Sequence, residues 1–209
     1  MVAQKIKAWL ELLRLPNLFT VPGDVLVGWC LMGGLEHGIW PICLTITASL
    51  CLYATGLLLN DVMDVRVDTR ERPHRPIPSG RVSLRSVLAV TPVLGTLGIV
   101  LAWQNWPCAA ILLGLVVFYD VIAKRIPGLG VLTMGTCRGA NVLFGALYVA
   151  SPEAILQNRL MLVAIGFFVL YTLLISIVAR NEADSTVTPS QWIRWSPVLL
   201  TLCLVPLFW

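Results

Sequence analysis

Charge is scarce in this chain. Only 12% of its 209 residues are Asp, Glu, Lys or Arg, against about 25% in a soluble globular domain. With 57% hydrophobic residues and a mean hydropathy of +0.83, that scarcity argues against a soluble bundle, whose helices need polar faces. Histidine is nearly absent, with His37 and His74 only. The six cysteines (Cys30, Cys43, Cys51, Cys108, Cys137, Cys203) are scattered through apolar runs without a CxxC pair. This pattern offers neither a zinc framework nor a disulfide scaffold, and the cysteines read as small buried apolar residues. A net charge of +4 is small, and nucleic acid is not an expected partner.

What is abundant is apolar length. Seven apolar segments cover roughly residues 16–35, 39–60, 85–103, 106–123, 129–150, 160–180 and 195–209. Several approach the roughly 20 residues that cross a bilayer as a helix. The fold class expected is an all-α polytopic membrane protein, because in lipid each segment must satisfy its own backbone. Lys5, Lys7 and Arg14 precede the first segment as in a signal peptide. The run is long, lacks a clear A-x-A site and leads into further spans, so it reads as a retained helix. Thirteen of the fifteen Lys and Arg residues fall on one side of this arrangement. The positive-inside rule then makes the N-terminus and the long loop after segment two cytoplasmic, in an inner membrane. Gln104-Asn105 is a short joint, predicting antiparallel neighbours. Gly135 and Gly139 form a GxxxG, a close-packing signal. The last segment, from Ser196 to Trp209, is too short to span, at about 21 Å of helix against about 30 Å of hydrocarbon. It is expected to be re-entrant or the start of a span cut short. On the second reading, residues 1–209 are a single membrane domain truncated at its C-terminus.

The charge that exists is concentrated. Residues 60–83, NDVMDVRVDTRERPHRPIPSGRVS, hold three aspartates and five arginines. If segment two stays helical past Asn60, then Asn60, Asp64, Asp68 and Asp61 project at about 0°, 40°, 80° and 100°. Arg66 and Arg70 project at about 240° and 280°, on the opposite face. Three carboxylates on one stripe repel one another. A divalent cation relieves this, and hard oxygen donors at a membrane surface suit Mg²⁺ shared with a substrate phosphate. A solvated acidic face balanced by arginines would explain the charge but not its restriction to one stripe. Arg72 to Arg81 follows, with Pro73, Pro76 and Pro78 predicting a stiff, extended path and Ser79-Gly80 a turn. Ser83 is placed to cap the next helix. A stiff arginine-bearing loop beside an acidic stripe suits a polyphosphate; contact with anionic lipid is the plainer reading.

These stretches resemble the UbiA superfamily of intramembrane prenyltransferases. Asn60-Asp61-x-x-Asp64-x-x-x-Asp68, Arg72-Pro73 and Arg75-Pro76-Ile77-Pro78-Ser79-Gly80-Arg81 are similar to its first aspartate-rich motif and following loop. Arg14-Leu15-Pro16-Asn17 resembles the approach to its first helix, and Tyr119 with Lys124-Arg125 its second cytoplasmic stretch. Met134 to Asn141 is similar to an EboC-like branch. The resemblance covers residues 10 to about 185 and implies a nine-helix bundle, about seven helices of which are present. It implies transfer of a prenyl group from an isoprenoid diphosphate to an aromatic or other lipophilic acceptor, with Mg²⁺ as cofactor and membrane lipids as surroundings. Asp61, Asp64 and Asp68 are the implied metal ligands of the first motif. The second motif is not matched in full; Glu182 and Asp184, after Arg180-Asn181, are its only candidate ligands. Asp64, Asp68, Lys124 and Arg125 are the expected catalytic residues, and Asn60, Asp61, Arg72, Arg75, Tyr119, Arg138 and Asn141 the expected substrate contacts. Arg138 lies about 13 Å along its helix, too deep to snorkel, and needs a partner such as Asp24 or Asp120. Tyr53, Tyr119, Phe144 and Tyr148 are either core or cavity wall. The alternative to an enzyme is an accessory membrane protein that binds isoprenoid lipids; a transporter would need inverted repeats, for which the sequence offers no strong sign.

Overall fold

The computed structural model describes residues 2–126, 128–183, 195–198 and 200–201. Among these there are ten α-helices and no strand. In chain order they are α1 (Val2–Leu12), α2 (Leu15–Leu18), α3 (Val21–Leu31), α4 (Ile39–Met63), α5 (Val65–Glu71), α6 (Leu84–Leu101), α7 (Trp106–Val121), α8 (Leu129–Leu147), α9 (Pro152–Gln157) and α10 (Arg159–Ala183). Four stretches are long and apolar enough to cross a membrane: α4, α6, the α7 region from Trp103 to Arg125, and α10 to Ala179. The chain is an integral membrane protein. Most of the predicted 195–209 segment lies outside the described residues.

The centre of the bundle is α4, whose apolar stretch is 61% buried, whereas that of α10 is 6% buried. A helix that is apolar all round and this bare faces lipid or further helices. One core cluster joins Val25 and Trp29 of α3, Ala48 and Leu52 of α4, Ala109 and Leu112 of α7, and Phe144 of α8. Tyr148 packs on Trp29 with ring centroids 5.3 Å apart. Phe144 and Tyr148 are therefore core. A second cluster sits beneath the 72–83 loop, where Ile77 and Val82 meet Ala8 and Leu12 of α1, Leu58 of α4 and Val87 of α6.

Three local expectations change. The first apolar segment is not one helix: it breaks into α2 and α3 around Phe19-Thr20. Pro16 and Pro22 each occupy the first turn of a new helix, where a missing N–H costs nothing. The proline loop is not extended. Arg75, Ser79, Gly80 and Val82 donate backbone N–H groups to Arg72, Arg75, Ile77 and Pro76 carbonyls, making consecutive turns. Proline's fixed φ suits the second position of a turn as well as it suits an extended path, and Gly80 supplies the positive φ of 75°. The second segment also breaks, at Asp64, before resuming as α5, although the Asp64→Asn60 and Asp68→Asp64 backbone bonds run through the joint. The cap at Ser83 is as expected, its hydroxyl accepting from the Ser86 N–H.

The amphipathic α1 lies over the loop and is tied to it by Arg81, which donates to both Glu11 oxygens at 2.7 and 3.1 Å and to the His74 carbonyl. The hydrogen bond from Arg81 holds the Glu11 carboxyl below its ordinary value. Both groups are exposed, so water and salt screen the pair and it contributes little. That small contribution is present above the ordinary carboxylate range and is lost as pH falls through the lowered value.

Helices α3 and α8 approach until backbone meets backbone. A Cβ added at Gly28 would collide with the Val142 carbonyl, and one at Gly145 with the Val25 carbonyl. Gly135 and Gly139 play the same part against Val169 of α10, so the GxxxG is a packing device. Gly114, on the exposed side of α7, has nothing within 4 Å. Gly28→Leu or Gly145→Leu should therefore lower the thermal stability of the detergent-solubilised protein sharply, by more than the roughly 1–3 kcal/mol usual for overpacking. Gly114→Ala, measured in the same melt, should not lower it and should raise it by up to about 1 kcal/mol, because the helix interior prefers alanine.

Candidate active site at one end of the bundle

The C-terminal ends of α4 and α7, the helix α5, the 72–83 loop and Arg14 meet at one end of the bundle. Each aspartate of the 60–83 stretch finds a cation there. Asp61 and Asp68, both buried, share one nitrogen: Arg75 Nη1 lies 3.5 Å from Asp61 Oδ1 and 2.7 Å from Asp68 Oδ2. Arg14 Nη2 donates to Asp61 Oδ1 at 3.1 Å and to Asn60 Oδ1 at 3.3 Å. Arg72, half outside, stands 3.9 Å from Asp68. Asp64 turns the other way, its Oδ1 accepting from Lys124 Nζ at 2.8 Å. Lys124 also faces the buried Asp120 at 3.8 Å, and Asp120 accepts from Asn60 Nδ2 at 2.9 Å.

Four carboxylates (Asp61, Asp64, Asp68, Asp120) are thus matched by four cations (Arg14, Arg72, Arg75, Lys124). Asn60 joins the two halves, donating to Asp120 and accepting from Arg14. Arg66 and Arg70 are exposed, as the opposite-face projection predicts. Arg14 sits in the left-handed region, φ 45° and ψ 55°, the one described non-glycine residue with positive φ. For an arginine this costs about 1–3 kcal/mol and marks a position that its surroundings enforce.

The stripe does not form one three-carboxylate cluster, and no group of three or more His, Cys, Asp or Glu residues is gathered for a metal ion among the described residues. The donor chemistry nevertheless fits a hard dication. Asp61 and Asp68 converge on a single cation, and the charge they hold between them is a guanidinium. Glu182 belongs to the last turn of α10; its side chain and the whole of Asp184 lie outside the described residues. Arg125 is exposed and has no ion pair among them.

Beside Lys124 an apolar pocket of about 530 Å³ opens between α7, α8 and α10. Tyr119, Val131, Met134 and Ile175 are among its walls. Arg138 does not join the aspartates. It pairs with Asp24 Oδ1 at 2.9 Å, the first of its two expected partners, while Asp120 belongs to the Lys124 side. Asn141 also serves Asp24, donating to Oδ2 at 3.0 Å, and accepts from Ser49 at 2.6 Å. Arg14 and Asp120 are members of the site that the aspartate pattern alone does not point to. The signal for Asp120 is its i,i+4 spacing to Lys124.

An apolar helical bundle with a dense carboxylate–cation cluster at one end defines an intramembrane protein. A family model described as the UbiA prenyltransferase family matches residues 24–209, and the chain belongs to that family. The digeranylgeranylglyceryl phosphate synthase of Methanococcus aeolicus is 31% identical over 155 residues, covering 71% of this chain and 55% of that protein. The synthase of the same name from Methanosarcina barkeri is 30% identical over 161 residues, covering 69% and 56%. The chain therefore spans a little over half the length of these relatives. A solved structure concerning digeranylgeranylglyceryl phosphate synthase in membranes superposes with a TM-score of 0.72 at 22% identity, over 97% of this chain and 76% of that one. That likeness shows the fold.

Removing the shared cation should be felt locally. Arg75→Met leaves Asp61 and Asp68 buried with Arg14 and the loosely placed Arg72. The 72–83 loop should lose about 1–3 kcal/mol of local stability, read as faster amide exchange and earlier proteolytic nicking in that loop. Arg66→Met should change neither.

Proposed function

We propose that the protein transfers a prenyl group from an isoprenoid diphosphate to a lipophilic acceptor. The observation that carries this reading is the cluster of Asn60, Asp61, Asp64, Asp68 and Asp120 with Arg14, Arg72, Arg75 and Lys124, set at the mouth of an apolar bundle. Ionising an allylic diphosphate means breaking a C–O bond while the leaving group takes the electron pair and several negative charges. Preorganised cations at that point lower the barrier. Arg14, Arg72, Arg75 and Lys124 are already gathered there and are the groups that would receive the diphosphate, with Arg125 at the rim. Asp61 and Asp68 would hold Mg²⁺, with Asp64 beside them, and Glu182 and Asp184 are the proposed ligands of a second site. When bound, the metal supplies neutralisation of the diphosphate charge as the bond breaks.

The rest of the work falls to the protein wall. The allylic cation must be kept from water until the acceptor attacks and loses its proton. Tyr119 lines the apolar pocket beside Lys124, and Tyr53 is half-buried in α4. Aromatic faces stabilise a nearby cation. The relatives named above are digeranylgeranylglyceryl phosphate synthases by name, which supports a lipid acceptor. The basic residues support a cytoplasmic position for the site and the N-terminus, and residues 1–209 are proposed to lie within one membrane domain.

Asp64 offers the cleanest test, because it is part-exposed and its loss leaves Lys124 facing Asp120. Asp64→Asn should abolish Mg²⁺-dependent prenyl transfer in membranes supplied with labelled prenyl diphosphates, while the melting temperature stays within a few degrees. Retained transfer would remove Asp64 from the proposed machinery. Arg125→Ala should weaken donor KM only a few-fold, since Arg125 is exposed and holds no carboxylate among the described residues.

A further inference from the structure

Asp120 is the one buried carboxylate of the cluster that the proposed machinery leaves without a task. It lies in the last turn of α7 and is 2% exposed. Helix stability does not ask for it there. A negative charge at a helix C-terminus opposes the helix dipole, and a buried carboxylate costs more than an apolar side chain of similar size. Its polar partners are two, and both belong to the site. Asn60 Nδ2 donates to Oδ1 at 2.9 Å, and Lys124 Nζ stands 3.8 Å from the same oxygen. Oδ2 accepts no hydrogen bond among the described residues. Gly56, one turn before Asn60 on α4, makes the approach possible. A Cβ there would lie 2.6 Å from Val116 Cγ1 of α7 and 3.9 Å from Asp120 Oδ2.

The lysine it faces is fixed at its root and free at its tip. Helix α7 ends at Val121, Ile122 leaves the helical region with φ −120° and ψ −61°, and Ala123–Arg125 form a 3₁₀ turn. Ala123 is fully buried, and α8 packs on the turn so closely that a Cβ at Gly130 would lie 3.0 Å from Lys124 Cα. The turn thus sends Lys124 inward, 13% exposed, and leaves Arg125 outside. Beyond Cα the lysine has a flexible four-carbon stem. Its ammonium is shared, 2.8 Å from Asp64 Oδ1 and 3.8 Å from Asp120 Oδ1. These two carboxylates are not equivalent. Asp64 is part-exposed and stands beside the proposed metal ligands, whereas Asp120 is buried and held by Asn60. If Asp64 is drawn to Mg²⁺, Lys124 loses its nearer partner. Asp120 is the one other carboxylate within 4 Å of its ammonium among the described residues.

We infer that Asp120 is a positioning residue, a fixed carboxylate that keeps the Lys124 ammonium in the site when Asp64 is engaged elsewhere. What Lys124 then meets rests on the prenyl-transfer reading; the tether itself does not. The tether is read without substrate, by acylating accessible amines of the full chain in nanodiscs and quantifying Lys124 by mass spectrometry. Lys5 and Lys7, exposed on α1, serve as internal references. Lys124 labelling in Asp64→Asn should stay within about threefold of wild type, and in Asp64→Asn/Asp120→Asn it should rise at least about tenfold. Asparagine keeps the shape at position 120 and still accepts from Asn60, so a melt of each variant should show the fold retained. The use of the tether is read as the Kd of a non-hydrolysable prenyl thiolodiphosphate with Mg²⁺. Asp120→Asn should raise that Kd about tenfold, and should leave it unchanged where Lys124→Met is already present, because a residue acting through Lys124 then has nothing to position. Three results overturn the inference: equal Lys124 labelling in Asp64→Asn and the double variant, an unchanged or tighter Kd in Asp120→Asn, or an Asp120→Asn effect on Kd that persists beside Lys124→Met. If the thiolodiphosphate fails to bind wild type while Lys124 protection depends on Asp120, the prenyl-transfer reading fails and the tether stands.

Discussion

A carboxylate at the end of an apolar bundle must find a cation, and most of this structure is arranged so that each one does. Asp61, Asp68 and Asp120 are almost completely buried. Left alone in a medium of low dielectric, such groups would cost several kcal/mol each. Arg75 reaches down from the loop, Arg14 from the start of the first segment and Lys124 from the end of α7, so separate stretches of chain converge on one patch. The loop turns, the left-handed backbone at Arg14 and the break at Asp64 all serve that convergence. The resulting network balances its own charge. On the proposed function, a diphosphate and its metal would enter by exchange, taking over the cations and the carboxylates from one another.

Close helix approach is the second requirement. Gly28 and Gly145 let α3 and α8 meet backbone to backbone, which sets Asp24 opposite Arg138 and Asn141. Without that contact Arg138 would have no counter-charge, and the polar chain from Ser49 to Arg138 could not form. Packing by small residues and the pairing of buried charge are therefore one arrangement seen at two scales. The bareness of α10 shows the complementary case, where apolar surface alone suffices because lipid or further helices meet it.

The parts of the site legible in the amino-acid sequence are those written locally. The spacing of Asn60, Asp61, Asp64 and Asp68 places them toward one end of the bundle on one face, and all four carry partners there. Gly135 and Gly139 announce helix packing, Ser83 a cap, and Arg138 a buried partner. Pairing across distance is not legible in the same way. Asp120 is one of two options for Arg138 by depth alone, and it belongs instead with Asn60 and Lys124. Arg14, marked only by a short resemblance, proves to be an immediate neighbour of Asp61. The prolines of the loop specify φ but not ψ, so they do not distinguish an extended path from a chain of turns.

Composition and the 3.6-residue period are local properties, and they already specify a helical membrane protein, the gathering of its charge at one end, and the residues of its acidic face. The tertiary structure selects which cation each aspartate holds. It divides the three-carboxylate stripe between Arg75 and Lys124, and it turns Arg138 inward with donors to spare. Arg75 finds its aspartates within 14 positions, but Arg14, Lys124 and Arg138 reach partners 46 to 118 positions away, and no local rule chooses among the partners a chain can bring to one place.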